Sequence, residues 1–536
     1  MDGLFTAQAP WLRTVGDSMY ERALRGGWLD RPAVIDEIDG TVYTHRTLYR
    51  CSATVAAELA GRGVSIGDPV AILVGERAEW FISFLALARL GAIAVLLNSG
   101  LDRQVHRRGL AAAGARHTLD WHDGGVVLVG PQGRDRIFDL PGVTARCAVE
   151  PMPDHPDLAA VPDDRDLYIQ FTSGTAGESK AITHRASHLA DYQQAVGRNA
   201  LGLTKDDVLL SISRLHCAYG FNNEFVYPML SGCAVVLNPE HRRPEAVVRA
   251  IKEHAVTIVC SMPSALGPLA HHLHGAKQSV AVLDSVRAVV SAGERLPVEL
   301  GAELHDLFAA PVLEQIWCTE VGNAFCANGI DAASADSVGF PCPGYDVEVR
   351  VPSDPRVAEA FAVEGHRPGE VWVRGRTIAE FATTVRGAVQ LLSDGWLRTG
   401  DVGYWNASGA LVVLGRADDI VRTGGISVSA IEIERRIAAT GLVRDVAVVS
   451  VRDDSSVDRL VVFVVPAGTW LSTKVFSAVL SSRLSSQLEC YHIPRKFEVC
   501  DVLPRTPSGK IMRQALRALA EAAAKAMRNC APLQIQ

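Results

Sequence analysis

The chain has 536 residues, of which 48% are hydrophobic and 21% charged, values typical of a globular protein that is too long for a single core. Its formal net charge of −7 and its pI near 6.2 argue against a general nucleic-acid binder. The eleven cysteines include no C-x-x-C pair, which favours cytoplasmic thiols over a disulfide framework or a zinc site. The first twenty residues carry no long apolar run, so we expect a cytoplasmic protein without a signal peptide.

The first elements along the chain alternate between helical and strand patterns. TVAAELAGRG predicts a helix and DPVAILV a strand, both within residues 54–74. The most apolar stretch, FISFLALARLGAIAVLLN (81–98), is interrupted by Arg89 and Gly91. It therefore predicts a buried helix followed by a strand, and no membrane span.

The stretch FTSGTAGESK (171–180) lies between LYIQF (167–171), predicted as a strand, and HRASHLADYQQAV (184–196), predicted as a helix. A turn rich in glycine and hydroxyl residues after a strand presents backbone N–H groups to an anion, and Lys180 adds a mobile positive charge. The stretch is not a P-loop, because that pattern requires a glycine where Ser179 stands. A phosphate-binding loop and a solvated turn are both open at this point.

The alternation continues through EAVVRAIKEHA and TIVCS (245–261) and through PSALGPLAHHLHG and SVRAVVSAG (263–293), and the pattern changes near GRADDIVRTGG (415–425). After that point come the helical pattern SAIEIERRIAATG, the strand patterns VRDVAVVSVRD and RLVVFVVP, and an alanine-rich helix that follows Lys510. The predicted fold class is α/β with mostly parallel strands: a large N-terminal multi-layer α/β domain and a small α+β C-terminal domain of about 120 residues.

Five further motifs follow the glycine-rich loop: SAGERLP (291–297), QIWCTEVGN (315–323), DGWLRTGDVGYW (394–405), GRADDIVRTGG (415–425) and LPRTPSGK (503–510). Together with the loop, and in this order, they resemble the motifs of the adenylate-forming superfamily of acyl- and aryl-CoA ligases, luciferases and peptide-synthetase adenylation domains. The resemblance covers nearly the whole chain, and RLHCAYGFNN (214–223) is most similar to benzoate–CoA ligases. It implies an AMP-forming acid ligase.

In this superfamily an acid attacks the α-phosphate of ATP to give an acyl adenylate and pyrophosphate, and an acceptor then takes the acyl group. Such chemistry needs cations and hydrogen-bond donors around the phosphates. By the resemblance, the β- and γ-phosphates are held by Thr172, Ser173, Gly174, Thr175, Gly177 and Lys180. Thr319 is expected at the α-phosphate and Glu320 at Mg²⁺, a hard cation that prefers oxygen ligands.

The nucleotide base and sugar are assigned in the same way. Gly293 and Glu294 match the adenine site, Asp401 matches the ribose ligand, and Arg416 matches a neighbouring nucleotide contact. Lys510 matches the lysine that stabilises the charge which develops during adenylation. The residues expected in catalysis are therefore Lys510, Thr319, Glu320 and Lys180.

The second half-reaction requires a mobile small domain in this superfamily. Asp418 matches its hinge residue, and Gly424 and Gly425 would line the channel for a pantetheine arm, where glycine permits close backbone approach. A plain interdomain turn is the alternative. The expected limits are residues 1–415 for the adenylation domain, 416–418 for the hinge and 419–536 for the mobile domain.

The acyl pocket is expected from residues that could also be ordinary core: His216, Tyr219, Gly220, Phe221, Trp317 and Cys318. Most aryl and long-chain members have glycine at the position of Trp317, whereas acetyl-CoA synthetases resemble this chain there, with a tryptophan that fills the pocket. Because close-packed interiors do not hold two bulky groups in one space, Trp317 favours a small acid over an aryl acid.

Several alternatives accompany this interpretation. The acceptor is expected to be CoA, with a carrier-protein pantetheine or an amine as alternatives. The chain could instead be an aryl-acid ligase, a stand-alone enzyme that loads a carrier protein, or a diazotase that activates nitrite for an arylamine without CoA. A degenerate nucleotide-binding protein is the non-enzyme alternative, suggested by departures at Ala176, Ser179, Ala181 and Ile316. We expect a monomer or homodimer that binds neither nucleic acid nor membrane.

Overall fold

A computed structural model describes residues 15–131, 133–149, 164–172, 180–238, 240, 243–275, 283–423, 426–452, 458–468, 472–484, 494, 496–505 and 511–529. Its helices are α1 Val15–Gly26, α2 His45–Ala60, α3 Ala78–Leu90, α4 Arg103–Ala113, α5 Leu140–Val149, α6 His188–Tyr192, α7 Ala218–Gly220, α8 Tyr227–Ser231, α9 Pro244–His254, α10 Pro263–Gly275, α11 Val298–Phe308, α12 Pro355–Ala360, α13 Ala430–Ala438, α14 Thr473–Leu484 and α15 Arg513–Asn529. Two π-helical segments, Gln193–Arg198 and Phe221–Val226, and a 3₁₀ turn, Ala417–Asp419, complete the helical structure of these residues.

The strands of the described residues are β1 Pro32–Asp36, β2 Thr41–Thr44, β3 Pro69–Leu73, β4 Ile93–Leu96, β5 His117–His122, β6 Gly125–Gly130, β7 Gly133–Phe138, β8 Asp166–Thr172, β9 Lys180–Arg185, β10 Val208–Ser211, β11 Ala234–Leu237, β12 Ile258–Ser261, β13 Ala288–Ala292, β14 Val312–Trp317, β15 Ala324–Ala327, β16 Phe340–Pro341, β17 Tyr345–Arg350, β18 Gly369–Gly375, β19 Phe381–Thr384, β20 Gly387–Gln390, β21 Leu392–Ser393, β22 Trp396–Trp405, β23 Leu411–Arg416, β24 Ile420–Thr423, β25 Ile426–Ser429, β26 Val443–Arg452, β27 Asp458–Pro466 and β28 Lys496–Val499.

The chain divides into two compact units. The first contains residues 1–347, 373–397 and 406–412, and the second contains residues 348–372, 398–405 and 413–536. The domain limits expected at 415 and 419 stay predictions.

Two nine-stranded sheets form the framework of the first unit. One has the order β16-β15-β14-β13-β12-β10-β11-β1-β2, and the other β20-β19-β9-β8-β4-β3-β5-β6-β7. In both, the central strands are parallel and the outer strands antiparallel. Parallel central strands must be covered on both faces, which explains their continuous apolar runs.

Helix α3 illustrates how the sequence specifies this unit. Every residue of α3 is buried, and Gly91 ends the helix in a left-handed conformation (φ 74°) before β4 begins. Its aromatic side chains pack against the second π-helical segment, where Phe84 lies 5.3 Å from Phe221 and 4.6 Å from Phe225, measured between ring centroids. The predicted buried helix and strand within residues 81–98 are therefore confirmed.

The second unit is smaller and of mixed α+β type. Its three-stranded sheet has the order β26-β27-β28, β24 pairs with β25, and α13, α14 and α15 are its longer helices. Apolar clusters lie on both faces of the three-stranded sheet. A further sheet has the order β17-β18-β22-β21, with β23 also paired to β22.

The predicted α/β class, with a large N-terminal part and a small C-terminal part, is confirmed. The prediction of mostly parallel strands holds for the sheet centres but misses their antiparallel edges. The helix predicted from residue 184 starts only at His188, because residues 180–185 form β9. Among the described residues, no helix is long and apolar enough to cross a membrane.

Candidate active site

Several candidate residues of the first unit follow strands of the first nine-stranded sheet at one edge. Strands β10, β12, β13 and β14 are parallel neighbours, so their carboxyl ends meet at the same edge. The segment 214–223 follows β10, Gly293 and Glu294 follow β13, and Trp317–Glu320 lies at the end of β14. Ligands of open α/β sheets bind outside the carboxyl ends of strands, so this edge is a candidate active site.

The turn Cys318–Asn323 at this edge, which we call the acidic turn, is held mainly through its main chain. The carbonyl oxygen of Cys318 accepts hydrogen bonds from the backbone N–H groups of Val321 and Gly322, at 3.2 and 3.0 Å. The carbonyl of Glu320 accepts from the backbone N–H of Ala379 at 2.9 Å. The fixed backbone leaves the side chains of Thr319 and Glu320 half-buried at the edge.

A buried histidine also fixes the acidic turn. His184 Nε2 donates to the carbonyl oxygen of Thr319 at 2.9 Å, and His184 Nδ1 accepts from the hydroxyl of Tyr192 at 3.1 Å, which sets the ring tautomer. The hydroxyl of Tyr168 donates in turn to that of Tyr192 at 3.3 Å. Burial lowers the pKa of His184 to about 3, so the ring is neutral at physiological pH. Sequence reasoning missed His184, because 135 residues separate it from Thr319.

Gly322 permits the close approach of His184 and Tyr192 to the acidic turn. Its φ is +75°, and a Cβ atom there would lie 2.1 Å from the Tyr192 hydroxyl and 2.8 Å from His184 Cε1. Its carbonyl accepts a hydrogen bond from Asn222 Nδ2 at 2.6 Å. Glycine is therefore required both by the backbone conformation and by the contact with His184.

Glu320 has the properties of a metal ligand. Its carboxylate is half-buried, and no described residue donates a hydrogen bond to it or forms an ion pair with it. A carboxylate that is partly removed from water and has no partner among the residues the structure describes suits a hard divalent cation. The donor set therefore fits Mg²⁺ at this position.

The adenine-site candidates lie beside the acidic turn along the same edge. Gly293 has a φ of +87° directly after β13, and Ala292 of β13 is paired with Gln315 of β14. Glu294 Oε2 accepts the backbone N–H of Ser264 at 3.1 Å, so this side chain also satisfies a donor in the first turn of α10.

The pocket candidates do not all share one environment. The rings of Tyr219 and Trp317 meet edge to face with 5.2 Å between centroids, and the ring of Tyr227 lies 6.5 Å from that of Trp317. His216 and Cys318 are half-buried. Phe221 is fully buried in the aromatic core, and Gly220 is required by packing, since a Cβ there would lie 2.1 Å from the carbonyl oxygen of Arg214.

The glycine-rich loop connects two strands of the second nine-stranded sheet. Strands β8 and β9 are antiparallel, and Thr172 lies directly opposite Lys180 at the mouth of the hairpin. Ala181 is buried and pairs with Phe171. Other candidates of this stretch lie outside the described residues: Ser173, Gly174, Thr175, Ala176, Gly177 and Ser179.

The second unit brings two of its candidates together. Arg416 Nη1 lies 3.4 Å from Asp401 Oδ1, and a Cβ atom on Gly400, whose φ is +82°, would lie 2.7 Å from Arg416 Nη2. Asp401 is in the middle of β22, where its N–H donates to Thr399 Oγ1 at 3.1 Å. Asp418 is exposed in the 3₁₀ turn. The remaining candidates of this unit, Gly424, Gly425 and Lys510, lie outside the described residues.

Comparison with known proteins identifies the family of the chain. The family model described as AMP-binding enzyme matches residues 21–381, and the AMP-binding enzyme C-terminal domain matches residues 432–510. The chain is 31% identical to p-hydroxybenzoic acid–AMP ligase FadD22 of Mycobacterium marinum (strain ATCC BAA-535 / M), covering 94% of this chain and 69% of the relative. It is 26% identical to benzoate–CoA ligase of Thauera aromatica, covering 94% of this chain and 95% of the relative.

Among solved structures, the anthranilate CoA ligase AuaEII in complex with anthranoyl-AMP matches with a TM-score of 0.79 and 25% identity, covering 97% of this chain and 100% of that one. The match of the family model to well over half of the sequence confirms the resemblance inferred from the motifs. The chain belongs to the AMP-binding enzyme family and is an ATP-dependent, adenylate-forming acid ligase.

Proposed function

We propose that the protein activates a small carboxylic acid as its adenylate and transfers the acyl group to the thiol of CoA. In the first step, a carboxylate oxygen of the acid bonds to the α-phosphorus of ATP and pyrophosphate leaves. In the second, the CoA sulfur bonds to the acyl carbon and AMP leaves. The packing of Trp317 is the observation that carries the choice of a small acid.

The indole of Trp317 occupies space at the carboxyl edge and is fixed there. Its Nε1 donates to Gln315 Oε1 at 3.1 Å, while Tyr219 packs edge-on against its ring. Tyr219 is itself fixed, since its hydroxyl donates to the carbonyl of Val290 at 2.9 Å. Moving the indole would break this packing, so an acid that needs its space is disfavoured.

The residues of the acidic turn are suited to the first step. We assign the Thr319 hydroxyl to the α-phosphate and the Glu320 carboxylate to Mg²⁺, which supplies positive charge to the phosphates when bound. Lys180 and Lys510 would add cations where negative charge develops, by their place in the motifs. His184 and Gly322 act indirectly, by holding the turn that presents Thr319 and Glu320.

The acceptor is inferred from relatives. Both the Thauera aromatica protein and AuaEII are CoA ligases by name, which favours CoA, whereas the name of FadD22 specifies an acid–AMP ligase.

We further propose that Asp401 and Arg416 bind the nucleotide, that Asp418 is a hinge and that Gly424 and Gly425 line the acceptor channel, all by their match to the motifs.

An aryl acid is the second candidate substrate. It is favoured by the names of the relatives, which specify p-hydroxybenzoic acid, benzoate and anthranilate, and by the segment RLHCAYGFNN. For an aryl acid to bind, its ring would have to lie beside the indole of Trp317 and not in its place.

A panel of acids and acceptors separates these candidates. Pyrophosphate release would be measured with acetate, propionate, benzoate, 4-hydroxybenzoate and nitrite, each alone, with CoA and with an arylamine. We expect the highest kcat/KM for acetate or propionate, with AMP and acyl-CoA formed in equal amounts when CoA is present. A higher kcat/KM for benzoate or 4-hydroxybenzoate would show that the substrate is an aryl acid and not a small acid. Nitrite turnover that requires the arylamine would exclude both carboxylic-acid candidates.

Variants of Trp317 sharpen this test. Trp317→Gly should raise kcat/KM for benzoate at least tenfold and leave the KM for ATP unchanged, because it removes a ring only from the acid side. Trp121→Ala is the matched control, since Trp121 is a half-buried tryptophan of β5, in the other nine-stranded sheet. An equal change of acid preference in both variants would contradict the role assigned to Trp317.

A further inference from the structure

Two buried cysteines from different helices meet in the first unit. Cys51 lies on α2 and Cys147 on α5, and their side chains are 0% and 6% exposed. Cys51 and Thr54 lie one helical turn apart on α2, and the Thr54 hydroxyl oxygen lies 3.3 Å from Cys147 Sγ, so the Cys147 thiol packs against the turn of α2 that carries Cys51. No catalytic or binding role described above uses either residue.

The surroundings of Cys147 favour its thiolate. The Thr54 hydroxyl oxygen lies 3.3 Å from Cys147 Sγ and can donate to it. The interaction with Cys51 is the largest influence, and with Thr54, Arg50 and Arg146 it lowers the pKa of the Cys147 thiol, against the effect of burial. The same interaction raises the pKa of Cys51. Glu58 Oε1 on α2 forms an ion pair with Arg146 Nη2 at 3.2 Å, in the residue next to Cys147.

Other described cysteines differ from this pair. Cys326 and Cys342 are both buried and close enough to interact, but burial raises the pKa of each thiol and neither is stabilised as a thiolate. Cys500 is more exposed, and its Sγ donates to the carbonyl of Val464 at 3.5 Å. These three residues serve as internal references. Cys326 and Cys342 show how readily buried thiols without a stabilised thiolate are oxidised, and Cys500 shows how readily a more exposed thiol is oxidised.

We propose that Cys51 and Cys147 form an oxidisable dithiol that hydrogen peroxide converts into a disulfide between α2 and α5. The Cys147 thiolate attacks one oxygen of the peroxide, giving a sulfenic acid and hydroxide, which takes the proton of the Cys51 thiol to become water. The Cys51 thiolate then attacks the Cys147 sulfur, and the sulfenic oxygen leaves as hydroxide, which takes from solvent the proton that Cys147 released when it ionised and becomes a second water. Two thiols are oxidised and one peroxide is reduced.

The test uses the full chain, first reduced and freed of reductant, then treated with hydrogen peroxide, blocked with N-ethylmaleimide and digested with trypsin. Cys51 falls in the tryptic peptide 51–62 and Cys147 in 147–165, whereas Cys318, Cys326 and Cys342 share the peptide 296–350. We expect peptides 51–62 and 147–165 to appear as one linked species, 2 Da lighter than their sum, at peroxide concentrations at which peptide 296–350 stays fully alkylated. Dithiothreitol should release both peptides.

Detection of both peptides in fully alkylated form, or of Cys147 sulfinic acid without the link, would overturn the proposal. Cys51→Ser should leave a Cys147 sulfenic acid that dimedone traps, and Cys500→Ser should leave the rate of linking unchanged. Thr54→Val keeps the side-chain shape and should slow linking several-fold, and an unchanged rate would contradict the role given to the thiolate. This variant keeps the test valid if Cys51→Ser fails to fold.

Discussion

His184 shows how a single residue outside every motif can control the candidate active site. It is buried among Tyr168, Tyr192 and His188, and it donates a hydrogen bond to the carbonyl of Thr319 in the acidic turn. Because that bond involves the main chain, it positions Thr319 and Glu320 without engaging their side chains. His184 is therefore a positioning residue.

His184→Ala should lower kcat/KM for pyrophosphate release by about 10- to 100-fold, since the loss of a buried hydrogen bond costs about 1–3 kcal/mol. His184→Gln, whose amide can donate to the same carbonyl, should recover part of the loss. His188→Ala is the matched control, because His188 is also buried but pairs with the N–H of Arg185 and not with the turn. Equal losses in the Ala variants at 184 and 188 would argue against positioning.

Lys510 carries a second prediction at this scale. Lys510→Ala should reduce pyrophosphate release by at least a hundredfold, because removing a cation from developing phosphate charge costs about 3 kcal/mol or more. Lys496→Ala is the control, since Lys496 is a lysine of the same unit that pairs with Glu498 at 2.7 Å. Pyrophosphate release within a few-fold of wild type would show that Lys510 does not act in adenylation.

At the scale of elements, β22 and its neighbour β23 explain why glycine stands at position 400. The close approach of Arg416 to Asp401 requires the absence of a Cβ at that position. Gly395, in the turn before the same strand, has a similar φ of +78° but no atom within 4 Å of an added Cβ. The two glycines share the backbone requirement and differ only in the contact with Arg416.

Gly400→Ala and Gly395→Ala should both destabilise the protein by about 1 kcal/mol, because both place a Cβ in a left-handed conformation. Only Gly400→Ala should raise the KM for ATP, by roughly tenfold, since only this change displaces Arg416 from Asp401. Calorimetry checks the first effect, and steady-state pyrophosphate release at varied ATP checks the second. If ATP affinity falls equally in both variants, the pair does not bind nucleotide.

Elements with strong local signals were predictable, and contacts between elements were not. Gly91 separates an all-apolar helix from a β-branched strand, so α3 and β4 could be located in the sequence. Strand β9 (KAITHR) was missed because its last two residues, His184 and Arg185, were included in the helical pattern HRASHLADYQQAV, and because its pairing with β8 and β19 is not visible in the local sequence. His184 sits on that strand, so the same local ambiguity concealed its contact with Thr319.

For the whole molecule, buried acids determine how stability depends on pH. Burial raises the pKa of several carboxyl groups: that of Glu76, those of Glu79 and Glu434 to about 7, and that of Glu314 to about 8. A carboxyl group whose pKa is higher in the folded state stabilises that state while protonated, and the contribution is lost as pH rises through the folded value. Buried histidines whose pKa is lowered make the free energy of unfolding rise with pH, but mainly below pH 6.5.

We therefore expect the free energy of unfolding to fall between pH 6.5 and pH 8.5. Glu314→Gln should reduce that fall by about 1–2 kcal/mol, because it removes one group that must ionise in a buried position. Urea unfolding at several pH values measures the effect, and Glu299→Gln, an exposed residue of α11, is the control. A wild-type stability that increases over this range would show that these carboxyl groups are ionised in the folded protein.

In the acidic turn, the backbone conformation and the two candidate side chains depend on different groups. Its shape depends on main-chain carbonyls and on Gly322, whereas Thr319 and Glu320 contribute side chains that the described structure does not use. We therefore expect the turn to keep its conformation when either candidate side chain is replaced. Glu320→Gln should melt at the wild-type temperature and still bind the acid, but turn over at least a hundredfold more slowly, which differential scanning fluorimetry and pyrophosphate assays would detect. Such a variant would form a stable complex in which unreacted ATP and acid are bound together.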